Sequence, residues 1–362
     1  MKTLPPGSII GILGGGQLAR MTALAAARLG YQTHIFCPGK DEPALQVTPL
    51  HTRAAWDDRA ALQKFAGAVD VVTLEWENVP IAALEAVARK APLYPSAGVL
   101  RVAQDRIAEK TFARKIGIGT TDFTAIHSAA ELAQAMKSFP LPAILKSTRM
   151  GYDGKGQVKI SRPTDPAKAW KEMGGKAGIL EAFVDFACEV SVIVARRADG
   201  AMEAYPAIEN IHRNHILAES RAPARIPPAL ARQAQQIARK LAQKLGVVGL
   251  LAIEMFVLKN PGAHGHRILM NEIAPRPHNS GHWTTDACAT SQFEQLVRAV
   301  CGLPFGDPAP HSRAVMHNLL GRDIEHWPDL LKKSHACVHL YGKAKTRKGR
   351  KMGHVTFLKG AW

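Results

Sequence analysis

With 362 residues, 46% of them hydrophobic and 21% charged, the chain has room for roughly two or three domains around a large core, an ordinary make-up for a soluble enzyme. Its formal net charge of +17 is not ordinary and points to anionic ligands: nucleotides, phosphorylated metabolites or nucleic acid. The five cysteines, Cys37, Cys188, Cys288, Cys301 and Cys337, are scattered and never in Cys-x-x-Cys spacing, which argues against a zinc ribbon or a disulfide framework and suits a reducing cytoplasm. No signal peptide and no apolar run of membrane-spanning length is seen, so no membrane partner is expected. Aromatic residues at 6%, without an aromatic-rich basic strand set, tell against nucleic acid.

Ser8 to Leu13 reads as a buried strand, followed by Gly14-Gly15-Gly16 and a helical pattern from Gln17, the opening of a doubly wound α/β unit. The spacing Gly14-x-Gly16-x-x-Ala19 fits a dinucleotide fingerprint. The second strand, Thr33 to Phe36, runs instead into Cys37-Pro38, where a nicotinamide enzyme places a ribose-binding acid, so the turn suits a single phosphate or a polar substrate at a helix N-terminus. A third strand, Val69 to Leu74, ends in Glu75-Trp76-Glu77-Asn78 at the carboxyl edge where open α/β sheets bind ligands. An acid there can accept from a substrate amine; capping of the helix from Ile81 is the competing reading, stronger for Glu77 than for Glu75.

A basic helical segment spans Val99 to Gly117, and Phe123 to Ile126 returns to strand-like sequence ahead of a helix over Glu131 to Lys137. Then comes Lys146-Ser-Thr-Arg-Met-Gly151-Tyr152-Asp153-Gly154-Lys155-Gly156-Gln157, between the apolar runs Ala143–Leu145 and Val158–Ile160. This predicts a hairpin with a cationic glycine tip, suited to a polyphosphate; a plain surface hairpin is the alternative. Ile179 to Val184 and Glu189 to Val194 read either as a hinge offering backbone groups to a flat base, with Glu189 on sugar hydroxyls, or as an antiparallel pair. His212 falls in a turn-like segment, where a lone histidine is more often structural.

Ala229 to Gly246 is an amphipathic helix, and the next two strands, Gly249 to Val257 and Arg267 to Ile273, each interrupt an apolar run with one glutamate. In hairpin register Glu254 and Glu272 share a face, where like charges repel unless neutralised; magnesium is the economical answer. The run Ala274 to Thr284 leaves these acids as a fixed loop, and Pro277 and Gly281 deny His278 and His282 the helix that zinc spacing needs.

A lysine before a glycine loop, a strand acid and paired glutamates followed by Pro-Arg-Pro-His resemble the ATP-grasp superfamily, over Gly11 to about Gly353. Within it, Gly14-Gly15-Gly16-Gln17-Leu18, Gly151-Tyr152-Asp153-Gly154-Lys155-Gly156-Gln157, Asn271-Glu272-Ile273-Ala274-Pro275-Arg276, His278-Asn279-Ser280-Gly281-His282-Trp283-Thr284 and Gly349-Arg350-Lys351-Met352-Gly353-His354 are similar to the 5-(carboxyamino)imidazole ribonucleotide synthase family. The resemblance implies an α/β ATP-grasp fold: a Rossmann-like domain over 1–105, a lid domain with the glycine loop over 106–180, and a C-terminal α+β domain over 181–362. It implies ATP with magnesium, bicarbonate and 5-aminoimidazole ribonucleotide as ligands, and a homodimer. Arg106, Lys146 and Gly151 to Gln157 would hold ATP phosphates, Glu181, Ala182, Phe183 and Val184 the adenine, Glu189 the ribose, with His212 and Asn271 lining the pocket and Glu254 and Glu272 on magnesium. Gln17, Leu18, Glu75, Tyr152, Asn279, Lys343, Arg350 and Lys351 would hold the ribonucleotide, with Arg276 and His278 near bicarbonate and Lys155 and Asp153 joining the chemistry. Asp153 is open to two roles, orienting or deprotonating the amine, or fixing the loop. Ala19 and Gly342 depart from the family pattern, and the loop Gly262 to His266 has no assigned role. A related family, the formate-dependent glycinamide ribonucleotide transformylases, is expected to lack the Gly-Tyr-Asp-Gly and His-Asn-Ser-Gly-His-Trp-Thr runs.

Overall fold

The described strands pair into three sheets. The computed structural model describes residues 3–151, 156–262 and 265–361. Strands β1 (Ile9–Leu13), β2 (Gln32–Cys37), β3 (Leu50–Arg53) and β4 (Val71–Leu74) form a parallel sheet in the order β3-β2-β1-β4. β1 and β4 are buried almost throughout, as strands covered on both faces by helices must be. The doubly wound expectation therefore holds, with one correction: Leu50-His-Thr-Arg53 is an edge strand with every second residue exposed, so Val71–Leu74 is the fourth strand, not the third. A short polar tetrapeptide carries no apolar run to announce it. The basic stretch Val99 to Gly117 is likewise two helices, Ala97–Ala103 and Arg106–Lys115. They break at Asp105, whose carboxylate caps the second by accepting from the amides of Ile107 and Ala108, each at 3.1 Å.

β5 (Phe123–Ile126), β6 (Ala143–Ser147), β7 (Gln157–Ile160) and β8 (Gly178–Ala182) make a small antiparallel sheet in the order β5-β8-β6-β7. Its apolar face, with Leu145, Ile160 and Leu180, packs on Leu132, Ala169 and Met173 from two helices. Lys146 pairs with Gln157 across β6 and β7, so the glycine segment is the hairpin connection that the flanking runs predict. Tyr152, Asp153, Gly154 and Lys155 lie outside the described residues. Because β8 continues to Ala182, we set the division between lid and C-terminal part after residue 182 rather than 180.

The remaining strands are β9 (Phe186–Arg196), β10 (Met202–Ala204), β11 (Ile208–Arg213), β12 (Ile216–Ala222), β13 (Gly249–Leu258), β14 (Ile268–Ala274), β15 (Ser312–Leu320), β16 (Ala336–Leu340) and β17 (Lys351–Ala361). They form the large sheet, β14-β13-β9-β11-β12-β15-β17-β16, with β10 on β9. β8 and β9 thus belong to different sheets and are not an antiparallel pair; residues 183–185 connect the sheets. His212, expected in a turn, sits on β11. The helix Pro228–Leu245 buries Ala234, Ala238, Leu241 and Ala242 and stops at Gly246, whose φ of 67° is left-handed backbone that suits glycine. One apolar core runs from Leu13 and Leu100 through Ala238 to Ile253 and Met270, fixing the parallel sheet against the edge of the large one. No helix among the described residues is long and apolar enough to cross a membrane.

Candidate active site

β13 and β14 pair antiparallel, with Glu254 directly opposite Glu272, as their spacing predicts. The register shifts immediately after this pair, a bulge that re-aims the strand where the acids project. Burial, and then the neighbouring Glu272, push the Glu254 carboxyl up to about 7. Burial acts to raise Glu272 too, but Arg106 outweighs it and holds that carboxyl at about 2. The Arg106 guanidinium donates to Glu272 at 2.9 Å and to the Gly151 carbonyl at 3.2 Å, linking the metal-type acid to the start of the glycine loop. The pair offers oxygen donors, with Arg106 as the cation held on Glu272. The Oδ1 of Asn271, the residue before Glu272 on β14, is buried and accepts from nothing among the described residues.

Two further groups close on Glu254. Ligand atoms of Glu189, His212 and Glu254 all lie within 4.8 Å of one another. Burial lowers the His212 pKa, but its contact with Glu189 at 3.2 Å and the charge of Glu254 leave it raised. The histidine that sequence statistics made structural therefore stands among acids. On the other side, His278 Nε2 lies 3.4 Å from Glu254 Oε1, and burial followed by Arg276 lowers His278 to about 3.

On the lid side, Lys146 reaches Glu181 at 2.6 Å, and Lys110 reaches the same carboxylate at 3.3 Å. Burial would raise Glu181, but Lys110 and Lys146 together hold it at about 2. Lys110 is fully buried and also donates to the Asn271 carbonyl at 2.9 Å, so one ammonium joins the small sheet to the strand carrying Glu272. Lys110 lies within the basic stretch Val99 to Gly117, to which the sequence assigned no buried role. Arg106 and Lys110 stand four apart on one helix face, but that spacing does not show that Lys110 is buried. The hinge follows: the Ala182 and Phe183 amides donate to Asp122 and Pro142 carbonyls, and Phe183 is exposed.

The loop after β14 meets the parallel sheet. Arg276 grips Glu77 with two nitrogens, one bond at 2.9 Å, and donates to the Pro277 carbonyl at 2.9 Å. Glu77 is therefore an arginine partner and not a helix cap. Glu75 does cap, but for the helix Gln17–Arg28: its carboxylate accepts from the Gly16 amide at 2.7 Å and the Ala19 amide at 3.2 Å. The turn must be glycine because a Cβ on Gly14 would lie 2.5 Å from Glu75 Cγ, and one on Gly16 2.7 Å from Glu75 Oε1. Gln17 opens that helix; Leu18 is buried, with its carbonyl taken by Thr22 at 2.8 Å. Both polar atoms of the Asn279 side chain are buried without a partner among the described residues.

The C-terminal basic segment closes over the turn. Gln46 takes Arg20 at 2.8 Å and donates to the Gly342 carbonyl at 2.7 Å, which sets Lys343 beside Glu75. Lys343 donates to the Lys351 carbonyl at 2.7 Å and Arg350 to the Lys345 carbonyl at 2.6 Å. Burial, then Arg350, lower Lys343 to about 8. Lys351 is near enough to His278 to depress it. The basic segment thus lies near both the glycine turn, through Lys343 and Glu75, and the His278 loop, through Lys351.

Comparison with known proteins gives this arrangement its relatives. Residues 8–104 match the ribonucleotide synthetase preATP-grasp domain, 111–293 the ATP-grasp domain, and 314–361 the phosphoribosylaminoimidazole carboxylase C-terminal domain. The chain is 46% identical to the N5-carboxyaminoimidazole ribonucleotide synthase of Brucella melitensis, over 99% of its own length and 98% of the relative's. The chain belongs to the N5-carboxyaminoimidazole ribonucleotide synthase family. A synthetase of this family solved as its ADP complex superimposes with a TM-score of 0.94 at 42% identity, covering 99% of this chain and 94% of that one. The Aspergillus clavatus synthase solved with ADP and 5-aminoimidazole ribonucleotide gives 0.91 at 31% identity, covering 98% and 95%. A bifunctional purine synthesis protein of Dictyostelium discoideum is also 46% identical, but the chain spans 37% of its length. As a member of this family the chain is an ATP-dependent carbon–nitrogen ligase with an ATP-grasp fold.

Proposed function

We infer that the chain carries out the ATP-dependent carboxylation of 5-aminoimidazole ribonucleotide by bicarbonate, giving the N-carboxylated ribonucleotide, ADP and phosphate in purine biosynthesis. The observation that carries this reading is that groups of opposite need close on His278: Glu254 at 3.4 Å, with Arg276, Lys351 and Glu272 near enough to act on it.

Bicarbonate is a weak electrophile, and the phosphoryl group it must receive carries like charge, so the site has to hold anions together. We assign Arg106, Lys146 and the glycine loop to the ATP phosphates, Val184 and its hinge neighbours to the base, and Glu189 with His212 to the sugar. Lys146 is held in place by Glu181, and Arg106 by Glu272. The opposed Glu254 and Glu272, with an unpartnered buried oxygen on the neighbouring Asn271, fit magnesium. When bound there it would offset phosphate charge during transfer.

Arg276 and His278 hold bicarbonate, whose oxygen takes the γ-phosphoryl group of ATP to give carboxyphosphate and ADP. The substrate amine then attacks the carboxyl carbon, the bond from that carbon to the oxygen bridging to phosphorus breaks, and the departing phosphate takes up the proton the amine loses. Gln17, Leu18, Asn279, Lys343, Arg350 and Lys351 orient the ribonucleotide, with the two unpartnered Asn279 atoms as its specific contacts. Glu75 acts by bracing the glycine turn, since its oxygens are on the Gly16 and Ala19 amides. Carboxyphosphate is labile, so a closed glycine loop is needed to exclude water; Tyr152, Asp153 and Lys155 are the side chains we give to that task. A homodimer and residence in the cytoplasm belong to the same reading.

ADP release tests it: magnesium-dependent turnover should rise with 5-aminoimidazole ribonucleotide and bicarbonate together, and not with formate and glycinamide ribonucleotide. The opposite substrate preference would overturn it.

A further inference from the structure

The His278 side chain is held by a chain of serines that the reaction, as described, does not use. Ser280 and Ser191 are both fully buried. Ser191 Oγ donates to Ser280 Oγ at 2.8 Å, and Ser280 Oγ lies 2.8 Å from His278 Nδ1. The backbone amide of Ser280 points at the same nitrogen, at 3.3 Å. Ser191 is no casual neighbour: it stands on β9 directly opposite Glu254 on β13.

Hydrogen-bond chemistry leaves these atoms one arrangement. A backbone amide can only donate, so Nδ1 of His278 accepts. Ser280 Oγ already accepts from Ser191, which leaves its own proton for Nδ1. A neutral imidazole whose Nδ1 accepts carries its proton on Nε2. That Nε2 faces Glu254 Oε1 at 3.4 Å, on the side of the carboxylate pair.

We propose that Ser280, braced by Ser191, is a positioning residue that locks His278 as an Nε2–H donor. His278 then holds an oxygen of bicarbonate or carboxyphosphate and does not take the proton of the substrate amine, because the lone pair a base would need is turned toward Ser280. The consequence for the reaction rests on the placing of bicarbonate given above; the tautomer does not.

The two are separated by experiment. Nitrogen NMR of the ligand-free full chain with labelled histidine, its His278 signal identified by loss in His278→Asn, should show Nδ1 as an acceptor and Nε2 protonated. A proton on Nδ1 overturns the proposal whatever the enzyme carboxylates. In Ser280→Ala only the longer amide contact, at 3.3 Å, is left to hold Nδ1 as an acceptor, so a minor Nδ1–H population should appear, with kcat about tenfold lower and the KM for ATP unchanged. A spectrum and kcat equal to wild type would overturn the role of Ser280. Should that variant fail to fold, Ser191→Ala keeps the test: a smaller Nδ1–H population and kcat about threefold lower support the brace, and wild-type behaviour in both removes it. Loss of ribonucleotide-stimulated ATP cleavage in the wild-type chain would instead strike the reaction and leave the tautomer standing.

Discussion

Replacing Lys110 by methionine removes an ammonium that joins the small sheet to β14. Lys110 is fully buried, 3.3 Å from Glu181 and 2.9 Å from the Asn271 carbonyl, and methionine fills a similar volume without the charge. Breaking a buried ion pair costs about 3–5 kcal/mol when its partner is stranded. Glu181 keeps Lys146 at 2.6 Å, so we expect about 2–4 kcal/mol here. At an unfolding entropy of about 2.1 cal/mol/K per residue, 362 residues give about 0.8 kcal/mol/K, and Tm should fall by about 3–5 °C. The change should also be felt by ATP, because Glu181 orients Lys146 and Asn271 adjoins Glu272; a KM for ATP raised about tenfold is expected. Thermal unfolding and steady-state ADP release measure the two. A variant with wild-type Tm and wild-type KM for ATP would refute the claim that Lys110 ties lid to metal strand.

Glu272→Gln should abolish turnover while leaving the far-ultraviolet circular dichroism unchanged, since it removes the metal-type charge and half of the contact that holds Arg106; near-normal activity would count against the carboxylate assignment. Lys351→Ala should raise the KM for the ribonucleotide and spare ATP, and an effect confined to ATP would show that the phosphate clamp lies elsewhere. Lys343, lowered to about 8, is charged below that pH and neutral above it, so ribonucleotide KM should climb between about pH 7 and 9. Lys343→Arg should flatten that rise, and a profile the same in both proteins would exclude Lys343 as its source.

Much of this site was legible where a side chain broke a pattern. Glu254 and Glu272 each interrupt an apolar strand, and the hairpin spacing alone predicts their opposition. The glycine hairpin was equally plain, because its flanking runs have strand character and its interior does not. What stayed hidden depended on contacts between distant segments. Glu77 and Arg276 are 199 residues apart, so nothing local told an arginine partner from a helix cap. Glu75 caps a helix whose start lies 59 residues earlier in the chain, not the helix that follows. His212 lost its strand because polar neighbours masked β11, and β3 because an edge strand need not be apolar. Lys110 was concealed by its surroundings: in a basic helix a buried lysine reads like a solvated one until Glu181 is brought against it.

The central claim is that bicarbonate is activated by phosphorylation in this site, and labelled bicarbonate tests it most directly. With all three bicarbonate oxygens as oxygen-18, in a turnover faster than exchange with water, one labelled oxygen should pass into the released phosphate and two remain in the product carboxylate. Phosphate free of label, with product still formed, would contradict the account.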